Sequence, residues 1–119
     1  YLAKRNKNLI IHGKGNQIRS FCYVDDCVNG ILKVLKSKKP NMTLNIGNDK
    51  NPISILNLAK KIIKMTRSRS KIIKIPFEKS DRKKDREIFM RIPVLKKIEY
   101  FTNYNPDISL QKGLKFIIK

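Results

Sequence analysis

Between residues 19 and 35 the apolar pattern changes period at a pair of aspartates. Upstream, RSFCYV (19–24) is aromatic and β-prone, the composition of a strand or an extended entry. Downstream, Val28, Ile31, Leu32 and Leu35 recur at the spacing of one helix face. Asp25 and Asp26 stand at the joint, where carboxylates cap free N–H groups and oppose the helix dipole. A chain that passes from strand straight into amphipathic helix points to a layered α/β arrangement.

The rest of the chain extends this reading. NLIIHG (8–13) is a short apolar run closed by glycine, and Gly13 and Gly15 mark a turn. TLNIGN (43–48) reads as a strand, followed by a helix over 55–65 with Ser54 as its cap. The apolar members of that helix, Ile55, Leu56, Leu58, Ala59, Ile62 and Ile63, form a stripe wide for so small a partner. KIIKIPF (71–77) is a further strand stopped by Pro76, and residues 78–87 form a charged loop. A short helix is expected from Pro93, with proline in its first turn, and a last helix after Ser109. The order is mixed, without the regular alternation of a complete doubly wound sheet.

At 119 residues the length bounds a single small domain with a modest core. The formal charge of +19 would ordinarily point to nucleic acid, a membrane surface or an acidic ligand. Yet 21 Lys, 18 Ile and 11 Asn make up 50 of the 119 residues, and all three types use A/T-rich codons. The lysines are also spread along the whole chain, so base composition explains the charge better than a selected polyanion face. The seven arginines are therefore more informative than the lysines. Cys22 and Cys27 are five apart, which fits neither a CxxC site nor a disulfide framework; free thiols in a reducing cytoplasm are expected. His12 is the only histidine, so neither a zinc site nor a Ser-His-Asp set can be drawn. There is no signal peptide and no run of 18 apolar residues, so no membrane partner is expected.

Catalytic sets are absent. Gly13-Lys14-Gly15 lacks the third glycine of a dinucleotide fingerprint, and the residues after it do not start a helix. None of the four tyrosines is followed by lysine four residues on. What remains is a group of anion contacts. Arg19 precedes a strand, and a guanidinium held by a rigid element can grip a phosphate in bidentate fashion. Asn45 lies near a strand end, where α/β folds open onto their ligand crevice. Arg82, Arg86 and Arg91 lie in or after the charged loop.

GKGNQIRSFCYVDDCVNGI (13–31) resembles the GxGxQxRSFxYVDDxVxGI segment of the NAD-dependent nucleotide-sugar epimerase/dehydratase family, the extended short-chain dehydrogenases. LNIGN with ISILNLAKKI is similar to that family's next strand and helix, and RIPVLKKIEYFTNYNPDISLQKGL to its closing motif. The wording RSFCYVDD is most like the UDP-glucuronate decarboxylases and their close epimerase relatives.

The resemblance implies a small mixed α/β C-terminal segment that binds substrate, with the N-terminal Rossmann domain absent from residues 1–119. It implies an enzyme in the full-length form, a homodimer that uses NAD on a UDP- or dTDP-sugar, while this piece alone is inactive. By the same resemblance Arg19 contacts the diphosphate, Asn45 approaches the phosphates and Gln17 supports them. Arg91 matches the R-x-P pattern of the late arginine, whereas dehydratase-type members place it earlier, nearer Arg82. Val94, Ile98 and Asn103 depart from the family's usual Asp, Ala and Gly, which bears on packing there. Two other readings stand beside this one: a small basic nucleic-acid-binding module, for which the basic residues are too scattered, and a non-catalytic scaffold descended from the family.

Overall fold

In the computed structural model, residues 1–37, 41–79 and 87–118 are described. They form a small mixed α/β structure of five strands and four α-helices: β1 (Leu9–His12), β2 (Ile18–Arg19), α1 (Val24–Lys36), β3 (Ile53–Ser54), α2 (Ile55–Thr66), β4 (Ile72–Ile75), β5 (Met90–Arg91), α3 (Lys96–Thr102) and α4 (Leu110–Ile118). The chain divides into two compact units whose segments alternate along the sequence. The first is Tyr1–Arg19, Ile53–Arg91 and Leu114–Lys119; the second is Ser20–Pro52 and Ile92–Gly113.

The first unit holds both sheets. β1 pairs in parallel with β4, from Leu9 opposite Ile72 to His12 opposite Ile75. β2 is flanked by β3 in antiparallel and β5 in parallel. The runs at 8–13 and 71–77 are thus strands, as their composition predicts. β3 and β5, of two residues each, are too short to leave a periodic signal. Ser54 caps α2 as expected, its Oγ accepting from Asn57 N at 3.2 Å. The α2 stripe is at least half-buried, and Ala59 is buried outright, so this stripe does find cover.

The second unit is built around Leu95, Ile98 and Tyr104, with Val34, Leu44 and Ile46 packed against them. RSFCYV is strand only at Arg19 and serves as the entry to α1, with Tyr23 in the extended conformation before the helix begins at Val24. Other expectations fail here. Residues 43–48 join no ladder among the described residues; Tyr104 Oη donates to Gly47 O at 2.7 Å and Asn48 Nδ2 to Ile108 O at 3.2 Å instead. Helix α3 starts at Lys96 rather than at Pro93, whose ring packs where a Cβ on Gly47 would lie. Ile98 has no exposed surface and lies at the centre of this core, so its departure from alanine fills space rather than loosening it. Asn103 ends α3 at φ 51°, the left-handed turn in which asparagine is tolerated.

Helix α1 differs most from its sequence reading. The face with Val28, Ile31, Leu32 and Leu35 is exposed, Leu35 by 72%. The buried positions are Asp26 and Gly30, and Val34 packs on the core. A Cβ on Gly30 would come within 2.8 Å of Ile46 Cγ2 and 2.9 Å of Tyr104 Cε2, so glycine is what lets this helix approach. Neither aspartate caps the helix: Tyr23 is the N-cap and no side chain bonds there. Asp26 reaches across instead, accepting from Asp107 N at 3.2 Å and Ile108 N at 2.9 Å.

Candidate functional site: an arginine pair beside an aromatic-walled cavity

The loop between β1 and β2 is bonded to the start of α2. Leu56 N donates to Gly15 O at 2.8 Å and Ile55 N to Gln17 O at 3.1 Å. Two N–H groups that a helix start leaves unpaired are thereby used to fix the loop. Gly15 has φ +73°, and a Cβ there would lie 2.9 Å from Ile11 Cγ2 and 3.3 Å from Leu56 N. The glycine turn read from the sequence is thus a close backbone approach to the helix, and the loop leads into β2 rather than into a helix.

Gln17 is 5% exposed and its Nε2 donates weakly to His12 O at 3.5 Å. Its Oε1 has no hydrogen-bond partner among the described residues, and neither does His12 Nδ1. Arg19 follows on β2. Its Nη1 donates to Ile18 O at 2.9 Å and to Phe89 O at 3.4 Å, and its Nη2 to Glu87 Oε1 at 2.8 Å. Arg91 on β5 is the direct cross-strand partner of Arg19. Paired residues project from the same sheet face about 5 Å apart. The strand pairing therefore sets the backbones of two arginines side by side.

A cavity of about 590 Å³ has Lys14, Gln17, Lys74, Phe77, Glu87 and Phe89 in its wall, the last two being hydrogen-bond partners of Arg19. Two phenylalanines, two lysines and two glutamates, the second being Glu78, are among the residues that line it. Such a wall suits a flat ring that carries an attached anionic group. Phe77 is set there by Gly13, at φ +68°, whose absent Cβ would come within 2.2 Å of its ring.

The structure thus brings Gln17, Arg19 and Arg91 together in the first unit. Asn45 belongs to the second unit, where its Nδ2 donates to Val94 O at 3.3 Å. Arg82 and Arg86 lie outside the described residues. In the sequence Glu87 reads only as part of a charged loop; its bond to Arg19 joins segments 68 positions apart, which composition does not reveal. Phe77 and Phe89 are legible as apolar residues but not as lining one cavity. Cys22 and Cys27 are free thiols as expected, in the second unit. Burial pushes the Cys22 thiol up to about 12, assisted by Cys27 beside it, and raises the Tyr104 phenol as well. Among the described residues no group of His, Cys, Asp and Glu could hold a metal, and no helix is long and apolar enough to cross a membrane.

Residues 2–47 match the NAD dependent epimerase/dehydratase family. The UDP-N-acetyl-alpha-D-glucosaminuronate decarboxylase of Bacillus cytotoxicus is 33% identical over 117 residues, covering 98% of this chain and 36% of that protein. The chain belongs to the NAD-dependent epimerase/dehydratase family. Its fold agrees with solved members. The UDP-glucose 4-epimerase of Thermotoga maritima, solved with UDP-glucose, matches with TM-score 0.82 at 25% identity, over 98% of this chain and 35% of that one. The UDP-glucuronic acid 4-epimerase of Bacillus cereus, solved with UDP-glucuronic acid and NAD, matches with TM-score 0.79 at 28% identity, over 96% and 36%. This epimerase/dehydratase-family chain spans about a third of the length of the relatives it matches.

Proposed function

We propose that this chain is the nucleotide-sugar-binding part of an NAD-dependent enzyme that epimerises, dehydrates or decarboxylates a UDP- or dTDP-sugar. The observation that carries the reading is the Arg19–Arg91 cross-strand pair beside a cavity walled by Phe77 and Phe89. A nucleotide base would lie between the rings, and the diphosphate would meet the two guanidinium groups. Arg19 is suited to this because Nη1 is anchored on two backbone carbonyls, so its plane is set before ligand arrives. The buried Gln17 carbonyl, unpaired among the described residues, supplies an acceptor at the cavity wall. Asn45, and Arg82 in the late loop, are assigned to the phosphates on the family resemblance alone. Family membership favours this reading over a basic nucleic-acid-binding module.

Among the described residues, the glycine-containing 13–17 loop is not a dinucleotide site for NAD. The 13–17 loop lacks the third glycine and opens into β2, so no helix N-terminus meets a pyrophosphate there. NAD contacts are assigned outside these 119 residues, and we place the hydride chemistry there too. What this chain's residues do is bind and orient the nucleotide diphosphate.

Calorimetric titration of a UDP-sugar tests the assignment. Arg19→Ala should weaken binding by roughly 1.5–3 kcal/mol, the range for a hydrogen bond to a charged group. Equal affinity in wild type and variant would remove Arg19 from the site.

A further inference from the structure

Glu87 stands between the cavity and Arg19. It contributes to the cavity wall, whereas Arg19 does not; the guanidinium is bonded to two wall residues, Glu87 and Phe89. A carboxylate thus occupies Arg19 Nη2 on the side from which a diphosphate would come. Resting on the nucleotide-diphosphate reading above, we propose that Glu87 is the resident counter-anion of this site. It is exchanged for a phosphate oxygen on binding and so sets the affinity for the diphosphate.

Three observations support exchange over a fixed scaffold role. First, Arg19 does not need Glu87 to hold its plane, since Nη1 donates to Ile18 O and Phe89 O independently of it. Second, the pair is partly open, with 23% of the Arg19 and 18% of the Glu87 side chain exposed. Ion pairs that water reaches are weak and replaceable. Third, Glu87 and Glu78 place two carboxylates at a cavity with Lys14 and Lys74. Any anion entering competes with Glu87 for the Arg19 fork. A dianionic diphosphate offers more charge and two acceptor oxygens to the same fork, which a single carboxylate oxygen at 2.8 Å does not match.

The experiment titrates UDP and inorganic pyrophosphate separately into the 119-residue chain and its variants. Glu87→Gln keeps the size and the hydrogen-bonding amide but removes the charge. It should tighten both probes by roughly twofold to fivefold, the scale of a weak ion pair read as affinity. In an Arg19→Ala background the same substitution should change affinity by less than about twofold, because the competed group is gone. A Glu87 that merely positions Arg19 would give weaker binding in Glu87→Gln. Unchanged or weaker binding in Glu87→Gln, with Arg19→Ala still impaired, overturns the counter-anion role and leaves the diphosphate site standing. Absence of binding by wild type and every variant overturns both.

Discussion

Removing the Asp26 carboxylate should cost the second unit much of its stability. Asp26 is 5% exposed and accepts two backbone N–H bonds, from Asp107 at 3.2 Å and Ile108 at 2.9 Å. It is the tie between the first turn of α1 and the segment that leads into α4. A hydrogen bond to a charged acceptor contributes about 1.5–3 kcal/mol, and a buried donor left unpaired adds its desolvation cost. The longer of the two bonds belongs at the low end, so Asp26→Ala should lose about 3–4 kcal/mol. Against a typical total of about 5–15 kcal/mol, that is a large share. Asp26→Asn keeps one acceptor oxygen and should recover about half of the loss. Asp25→Ala is the control. Asp25 lies on the same turn but is exposed, so it should lose only the dipole contribution of about 0.3–1 kcal/mol. Urea unfolding followed by circular dichroism measures all three, since the chain has no tryptophan. The reasoning is refuted if Asp26→Ala falls within about 1 kcal/mol of wild type, or matches Asp25→Ala.

Further outcomes follow from the same contacts. Gly30→Ala should lower the melting temperature despite its better helix propensity, because overpacking against Ile46 and Tyr104 costs about 1–3 kcal/mol; an unchanged or higher melt would contradict the close approach. Ser54→Ala should cost about 1 kcal/mol in urea unfolding through loss of the bond to Asn57 N. The Cys22 thiol, raised from its ordinary 9.0 to about 12, keeps its proton in the folded chain over a range where the unfolded chain has released it. Stability should therefore be full below about pH 9 and decline as pH rises towards 12, and a flat series of melts over that range would contradict it.

What could be read from the sequence was whatever is local. The runs at 8–13 and 71–77 announce strands, the serines at 54 and 109 announce caps, and Ser109 Oγ does accept from Lys112 N at 3.2 Å. The arginine at 19 stood out because it persists in a lysine-rich chain. What stayed hidden depends on pairing between distant segments. The two-residue β5 puts Arg91 beside Arg19 across 72 positions of chain, and no periodicity in MR could disclose it. Glu87 looked like one charge in a solvated loop, yet it bonds Arg19. Asp26 looked like a cap because its position in the first turn is right for one; its partners lie 81 and 82 residues away. The α1 stripe misled in another way. Helical periodicity shows that a face is apolar, and it does not show that the described residues cover that face.

We propose that Gln17, Arg19 and Arg91 form a nucleotide-diphosphate site with the cavity that Phe77 and Phe89 line. Backbone amide chemical shifts of the ¹⁵N-labelled chain, recorded as UDP is added, test it most directly. Saturable shifts are expected at residues 13–19, 74–78 and 87–91, abolished by Arg19→Ala. No saturable shift at those positions, or one confined to other parts of the chain, would contradict it.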